Sequence, residues 1–267
     1  MAGWLHWGRL RKDLGNFDAV NRAVSLAVGL ALVLGAGFAV AAQEAPHKRL
    51  PLTAAISLPR DGTYVANDSL TFVVDHRDGQ ARLRFADSDE VFYLSSEAAP
   101  LSGHALKYDT GAIALQVTGW GGVTLYTAKA TSGLPAEYSD VIQNVDPPPV
   151  APQDVKPFAA KLAQELSSRE DFAIGFAADW DTIGKSDVLR GLICDAMRNA
   201  TYAIEELAKT GKRGSLADRL HIVRVIQAAK SGVTMQKGIL AIAIAPQSGP
   251  SGRPSSLAIV RALRTAL

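Results

Sequence analysis

The sequence has little of what usually identifies an enzyme or a redox protein. Its 267 residues include a single cysteine, Cys194, so no disulfide can form within the chain. Leu192, Ile193 and Ala196 lie close to it in the sequence. We therefore expect Cys194 to be a small buried apolar side chain rather than a reactive thiol.

Motifs of nucleophilic catalysis and of metal binding are also missing. The chain has no Gly-x-Ser-x-Gly motif, no Ser-x-x-Lys with its partner motifs, no histidine near the cysteine and no histidines at metal-ligand spacing. We accordingly assign no catalytic residue, no metal and no cofactor. The absence of these motifs favours a non-enzymatic protein. It does not decide the question, because active sites assemble from residues that are distant in the chain.

The sequence also lacks an excess of positive or negative charge. The chain has 28 basic and 26 acidic residues, and its first 42 residues contain four of the basic and two of the acidic ones. The remaining 225 residues therefore contain 24 of each sign. A neutral surface gives no general electrostatic reason to bind nucleic acid or anionic lipid, so we expect no nucleic-acid partner.

Long apolar runs are confined to residues 23–42, which contain no charged side chain and follow Arg22. Small residues end the run at Ala39, Ala41 and Ala42, as signal peptidase requires. We interpret 1–42 as a cleaved signal peptide and expect a periplasmic protein. The alternative is an uncleaved anchor, because the run just reaches the ~20 residues that a spanning helix needs. Contact with the membrane is expected only in that case.

Residues 62–145, which follow a mixed linker over 43–61, have the pattern of an antiparallel β-domain. Short alternating runs rich in aromatic and β-branched residues are separated by Gly, Asp and Ser. This spacing predicts a small barrel or sandwich of about six strands. The predicted strands cover 69–75, 80–85, 91–94, 106–108, 112–118 and 123–127.

A proline-rich linker over 146–152 separates this domain from a second, α+β domain over 153–267. Asp154 is expected to begin one helix, and Ser186 or Asp187 a longer one. Residues 220–228 are apolar on both faces and predict a central strand, with a helix as the alternative. A further strand and a last helix that opens at 254–256 give the order αβαββα.

Two residues are candidates for binding. Trp120 lies in the connection Gly-Trp-Gly-Gly, where an exposed indole would be a binding anchor, although the glycines also suit a tight turn. Arg253 precedes the start of the last helix and could present its guanidinium to an anion together with the helix amides. The plainer interpretation of this second segment is a loop and a helix cap.

Acidic clusters provide the main alternative function, a periplasmic hydrolase. Asp179 and Asp181 flank Trp180, and Asp87 and Asp89 form part of a dense acidic turn. Paired carboxylates beside an aromatic residue are typical of glycoside hydrolase sites. Carboxylates at alternate positions of a loop are typical of calcium sites. Caps and solvated turns explain the same residues more simply.

Three blocks of sequence together resemble an uncharacterised family of secreted bacterial proteins, domain of unknown function 4908. The first block has the pattern Arg-Phe-x-x-Ser-x-Glu-Val-x-x-Leu. The resemblance implies an exported, alphaproteobacterial protein over 68–267 and no known activity. The matching residues are Arg84, Phe85, Ser88, Glu90, Val91 and Leu94; Tyr108, Gly111, Leu115, Thr118, Gly121, Gly122 and Thr124 to Thr127; and Gly252 to Ser256 with Arg261, Ala262 and Leu263.

These observations lead to one expected function and two alternatives. We expect a non-enzymatic periplasmic module that binds an envelope protein or a small ligand, or that acts in envelope assembly. The alternatives are the periplasmic hydrolase and a membrane-anchored envelope protein that retains its N-terminal helix.

Overall fold

A computed structural model of the chain describes residues 58–67, 69–100, 102–140, 145–146 and 150–267. The predicted signal peptide over 1–42, most of the linker over 43–61 and the centre of the proline-rich linker lie outside these residues. Those predictions, and the domain boundaries that depend on them, stay predictions. None of the described helices combines the length and the hydropathy of a membrane-spanning segment.

The first half of the described chain forms a closed antiparallel barrel of eight strands in sequential order. Each strand pairs with the next, and β1 pairs with β8 to close the barrel. Of the two predicted architectures, a barrel or a sandwich, the antiparallel barrel is confirmed. Its strands are β1 (Gly62–Ala66), β2 (Leu70–Arg77), β3 (Gln80–Phe85), β4 (Val91–Ala99), β5 (Gly103–Lys107), β6 (Ile113–Val117), β7 (Val123–Leu125) and β8 (Leu134–Asp140).

The barrel has two strands more than the sequence analysis expected, because β1 and β8 were missed. Strand β8 contains Pro135, and nearly all of it is exposed or only half-buried. It therefore lacks the alternating apolar pattern that identifies a strand from sequence. Its pairing with β1 and β7, rather than its own composition, keeps it extended.

Alternate side chains of the strands fill the barrel interior, so the barrel is a packed core and not a container. Aromatic rings run through this core in a chain of contacts, from Tyr64 through Phe72, Phe85 and Phe92 to Tyr108, with centroid distances of 5.1–6.4 Å. Aliphatic side chains that are fully buried occupy the remaining space: Val74, Leu83, Leu106, Leu115 and Leu125.

The second half of the described chain contains helices and a four-stranded sheet, and the protein is therefore α+β as predicted. The order of elements is not the expected αβαββα, since a short helix α3 and a strand β11 were missed. The elements are α1 (Val155–Glu170), β9 (Gly175–Ala178), α2 (Asp187–Leu207), α3 (Arg213–Arg219), β10 (Ile222–Gln227), β11 (Gly232–Gln236), β12 (Ile239–Ile244) and α4 (Ser256–Ala266).

The sheet has the strand order β11-β12-β10-β9, in which β9, β10 and β12 are parallel. Residues 220–228 contain strand β10, so the strand prediction is correct and the helix alternative is wrong. One face of β10, with Val223 and Val225, is buried in the core with the helices. The other face carries exposed Arg224 and Ile226. The face of β10 that carries Val223 and Val225 thus packs with the helices.

Helix α2 contains a glycine that its fold does not require. An added methyl group at Gly191 would meet no atom within 4 Å, and glycine in a helix interior is less favourable than alanine because it loses more backbone freedom on folding. We expect Gly191→Ala to raise the free energy of unfolding by about 0.5–1 kcal/mol. Urea denaturation will measure it, and a destabilised variant would contradict this account of α2.

Candidate functional site

The two halves of the described chain meet where helix α4 begins. The barrel connections that follow β3 and β5 contribute Glu90 and Asp109. The segment before α4 contributes Arg253 and Ser255, and α4 itself contributes its first residue, Ser256. Helix α2 contributes Asp195. We call this set of six residues the joint.

The joint caps helix α4 with carboxylates from the barrel. The Ser255 backbone N–H and hydroxyl donate to Asp109 at 2.7 and 2.6 Å. The Ser256 backbone N–H and hydroxyl lie 2.7 and 2.5 Å from the two oxygens of Glu90. Ser255 is also the local cap, since its hydroxyl accepts from the Ala258 N–H at 3.2 Å. Two carboxylates thus satisfy amides that a helix leaves unpaired at its start.

The reason for this arrangement is the composition of α4. Its sequence contains no acidic residue and carries Arg261 and Arg264, so nothing within the helix compensates the positive end of its dipole. Asp109 supplies negative charge from the barrel, and the carboxyl group of Glu90 accepts a hydrogen bond from the Ser256 N–H. Leu257 in the same turn packs against the barrel core, so the contact is both polar and apolar.

Arg253 is buried in the joint, with 5% of its surface exposed. Its Nε donates to Asp195 of α2 at 3.1 Å and its terminal amine to the Val91 carbonyl of the barrel at 2.9 Å. Its guanidinium also lies over the ring of Tyr93, 5.5 Å from the centroid. The side chain is therefore engaged within the protein. Its predicted binding of an external anion stays a prediction.

Glu90 has unusual acid–base properties for a glutamate. Burial, which leaves 3% of the residue exposed, raises the pKa of its carboxyl to about 7, although the Ser256 hydrogen bonds and Arg253 oppose the rise. The nearby Asp109 carboxylate adds to it. The joint therefore contains a buried group that titrates near neutral pH.

Trp120 lies at the opposite end of the barrel. The connections after β2, β4 and β6 all leave the end away from Glu90 and Asp109, because neighbouring strands are antiparallel. Trp120 is 74% exposed in the connection after β6. Gly121 has φ of +92°, which glycine adopts most easily, and Gly122 and Thr118 hydrogen-bond across the turn. The glycines thus support a tight turn that exposes the indole.

The carboxylates of the hydrolase hypothesis are exposed side chains in separate turns. Asp179 and Asp181 flank the half-buried Trp180, which packs against the core. Asp87 and Asp89 are exposed in the connection between β3 and β4. In the described part of the chain, no group of three or more His, Cys, Asp or Glu residues is arranged to hold a metal ion.

Cys194 is buried, as predicted, with 1% of its surface exposed. Burial raises the pKa of its thiol to about 11, and the neighbouring Asp195 adds to the rise. Because the thiolate is the reactive species, this thiol is unreactive at neutral pH.

Sequence reasoning overlooked Glu90, Asp109 and Asp195 as partners of the last helix. The available signal was indirect: two serines open a helix that has no acid in its first turn, so carboxylates from elsewhere in the chain are needed. Nothing in the spacing of the sequence identifies which carboxylates these are, since Glu90 and Ser256 are 166 residues apart.

Comparison with known proteins agrees with the resemblance seen in the three sequence blocks. Searches of the curated proteins and of the solved structures gave no significant match. A family model does match, over residues 51–263, and these residues include the barrel, the sheet and all six residues of the joint. The chain therefore belongs to the family described as domain of unknown function DUF4908.

Proposed function

We propose that this protein is an exported, non-enzymatic module of the bacterial envelope that binds a partner through the barrel end that carries Trp120. The partner is an envelope protein or a small ligand. The observation that carries the proposal is the 74% exposure of Trp120 on a closed, packed barrel. A tryptophan is the side chain that gains most from burial at an interface, and it is enriched among the residues that dominate binding energies.

The turn around Trp120 supports this role because it is held in shape before any partner arrives. The Gly122 N–H donates to the Thr118 hydroxyl at 2.9 Å, and the Thr118 N–H to the Gly122 carbonyl at 2.9 Å. A residue that is ordered in the free protein loses less entropy on binding. The turn thus holds the backbone of Trp120 in place on the barrel.

The barrel itself is proposed to be this scaffold and not a container for a ligand. Its interior is filled by apolar side chains, and its far end is occupied by the joint. A hydrolase is the less favoured function, because Asp87, Asp89, Asp179 and Asp181 are exposed turn residues and such a reaction needs carboxylates that converge on one substrate.

Export is proposed from the N-terminal sequence, in which 1–42 has the features of a signal peptide. The mature protein is then periplasmic, and family resemblance suggests an alphaproteobacterial source. Mass spectrometry of the protein purified from cells separates this from the anchored alternative. A chain that begins near residue 43 is expected, and a chain that retains the apolar run would support anchoring.

The binding proposal is tested by photo-crosslinking in bacterial cells. A benzoylphenylalanine residue replaces Trp120 in one variant and Val188, an apolar residue of α2 that is 43% exposed, in a matched control. We expect a discrete heavier product from position 120 and none from position 188. No product at 120, or equal products at both positions, would contradict binding of an envelope protein through this end of the barrel.

A second measurement tests the energetic role of the indole once the crosslinked partner is purified. Trp120→Ala should weaken binding about 10–100-fold, the range expected for a dominant interface residue. Val188→Ala should leave affinity unchanged. If both variants bind with the affinity of the parent chain, Trp120 does not contribute to binding and the binding surface lies elsewhere.

A further inference from the structure

Glu90 is a buried acid through which the barrel holds the start of helix α4. The carboxyl group is enclosed between the β3–β4 connection and the first turn of α4, and both of its oxygens contact Ser256. This contact is separate from the Trp120 end of the barrel, so an inference from it does not depend on the proposed binding function.

We propose that the joint is a pH-sensitive latch: the barrel holds the first turn of α4 tightly when Glu90 is protonated and loosens its hold when Glu90 is ionised. The latch changes how firmly the two halves of the described chain are docked, without requiring either half to unfold.

Hydrogen bonding at Glu90 is equally possible in both protonation states. When the carboxylate is ionised, its two oxygens accept from the Ser256 N–H and hydroxyl. When it is protonated, one oxygen still accepts from the N–H, and the acidic O–H donates to the Ser256 hydroxyl oxygen. The two states therefore differ mainly in the presence of a buried negative charge, whose loss of hydration is costly.

Charged and titratable groups from the β5–β6 connection, the segment before α4 and helix α2 face this charge. Asp109 and Tyr108 approach from the β5–β6 connection, and the Asp109 carboxylate repels an ionised Glu90. The Arg253 guanidinium, from the segment before α4, attracts it. Tyr202 of α2 lies near both Asp89 and Glu90. Arg253 also pairs with Asp195, which in turn pairs with Arg198. The charge of Arg253 is therefore partly neutralised, and its attraction does not cancel the cost of burying an ionised Glu90.

The direction of the pH dependence follows from these contacts. The pKa of Glu90 is about 7 in the closed joint and 4.5 ordinarily, so the closed joint binds the proton more tightly than an open one. Closure is then most favourable below pH 4.5 and loses stability as the pH rises toward 7. The pKa difference limits the change in the opening equilibrium to about 300-fold.

Hydrogen–deuterium exchange of the full chain between pH 5 and 8, corrected for the intrinsic pH dependence of exchange, tests the latch. In the parent chain, we expect protection of the amides of α4 to fall about tenfold or more as the pH rises, while amides in the centre of α2 stay protected. In Glu90→Gln, which keeps the shape and the hydrogen bonds of the side chain without its charge, protection of α4 should be independent of pH.

Asp109→Asn provides a second variant that leaves Glu90 in place. Removing the repulsive carboxylate should keep the pH response of α4 and move its midpoint to lower pH. Constant protection of α4 in the parent chain would overturn the proposal. So would a Glu90→Gln variant that loses protection as the parent does, or a loss spread equally over α2 and α4, which indicates global unfolding.

Discussion

Replacing Arg82 with methionine should destabilise the protein by about 3–5 kcal/mol, the cost expected when one partner of a buried ion pair is removed. Arg82 has 4% of its surface exposed, and its Nε donates to Asp75 at 2.7 Å while a terminal amine also contacts that carboxylate. Asp75 is itself 8% exposed. Methionine would fill much of the space but would leave the Asp75 charge buried without its cation.

Arg82 also fixes the chain that leaves the barrel. Its other terminal amine donates to Asp146 at 2.5 Å, just before the proline-rich segment. Burial opposes the charge of Arg82, but the hydrogen bonds with Asp75 and Asp146 outweigh it and raise the pKa of the guanidinium. For Asp146 the same two effects compete, and hydrogen bonds from Arg82 and Arg77 hold the pKa of its carboxyl below its usual value.

Arg77, at the end of the neighbouring strand β2, provides a matched control. Arg77 contacts the same Asp146 carboxylate, but its side chain is 54% exposed, and exposed ion pairs contribute only about 0–1 kcal/mol. Urea denaturation at pH 7 should therefore separate Arg82→Met from Arg77→Met by several kcal/mol. If the two variants differ by less than about 1 kcal/mol, the buried pair is not a major source of stability. Adding Asp75→Asn to Arg82→Met should recover part of the loss, because no unpaired charge then remains buried.

The parts of this fold that sequence predicts are those whose signal is local. The Asp78-Gly79 turn joins β2 and β3 through two residues with positive φ, and Asp-Gly is the dipeptide that favours this hairpin turn. The turn between β11 and β12 has the same geometry, with positive φ at Lys237 and Gly238. Lysine seldom adopts that conformation, so the second hairpin carried no recognisable signal and β11 was missed.

The joint shows what cannot be predicted from local sequence. Ser255 and Ser256 mark a helix start in the sequence, and the start of α4 was predicted correctly. The carboxylates that complete the cap come from barrel connections, and only the folded chain brings them there. Trp120 was recognisable as a candidate because glycines surround it, but its exposure depends on the turn that those glycines form.

Gly252→Ala should also have a large effect, although it adds a single methyl group. That methyl would lie 2.1 Å from the Ala245 carbonyl oxygen and 2.9 Å from its carbon, both of which are backbone atoms that cannot rotate away. The Gly252 carbonyl accepts from the Ala245 N–H at 2.6 Å, so this close approach is part of the loop's own structure. Relieving the clash would displace the loop and with it Arg253, the next residue.

We expect Gly252→Ala to lower the free energy of unfolding by about 2–3 kcal/mol, as overpacking against a rigid neighbour does. Gly191→Ala is the control of opposite sign, because the same methyl group meets no atom within 4 Å there. Urea denaturation of the two variants should therefore place them on opposite sides of the parent chain. A Gly252→Ala variant as stable as the parent would mean that the loop before α4 moves freely, and that the glycine does not position Arg253 in the joint.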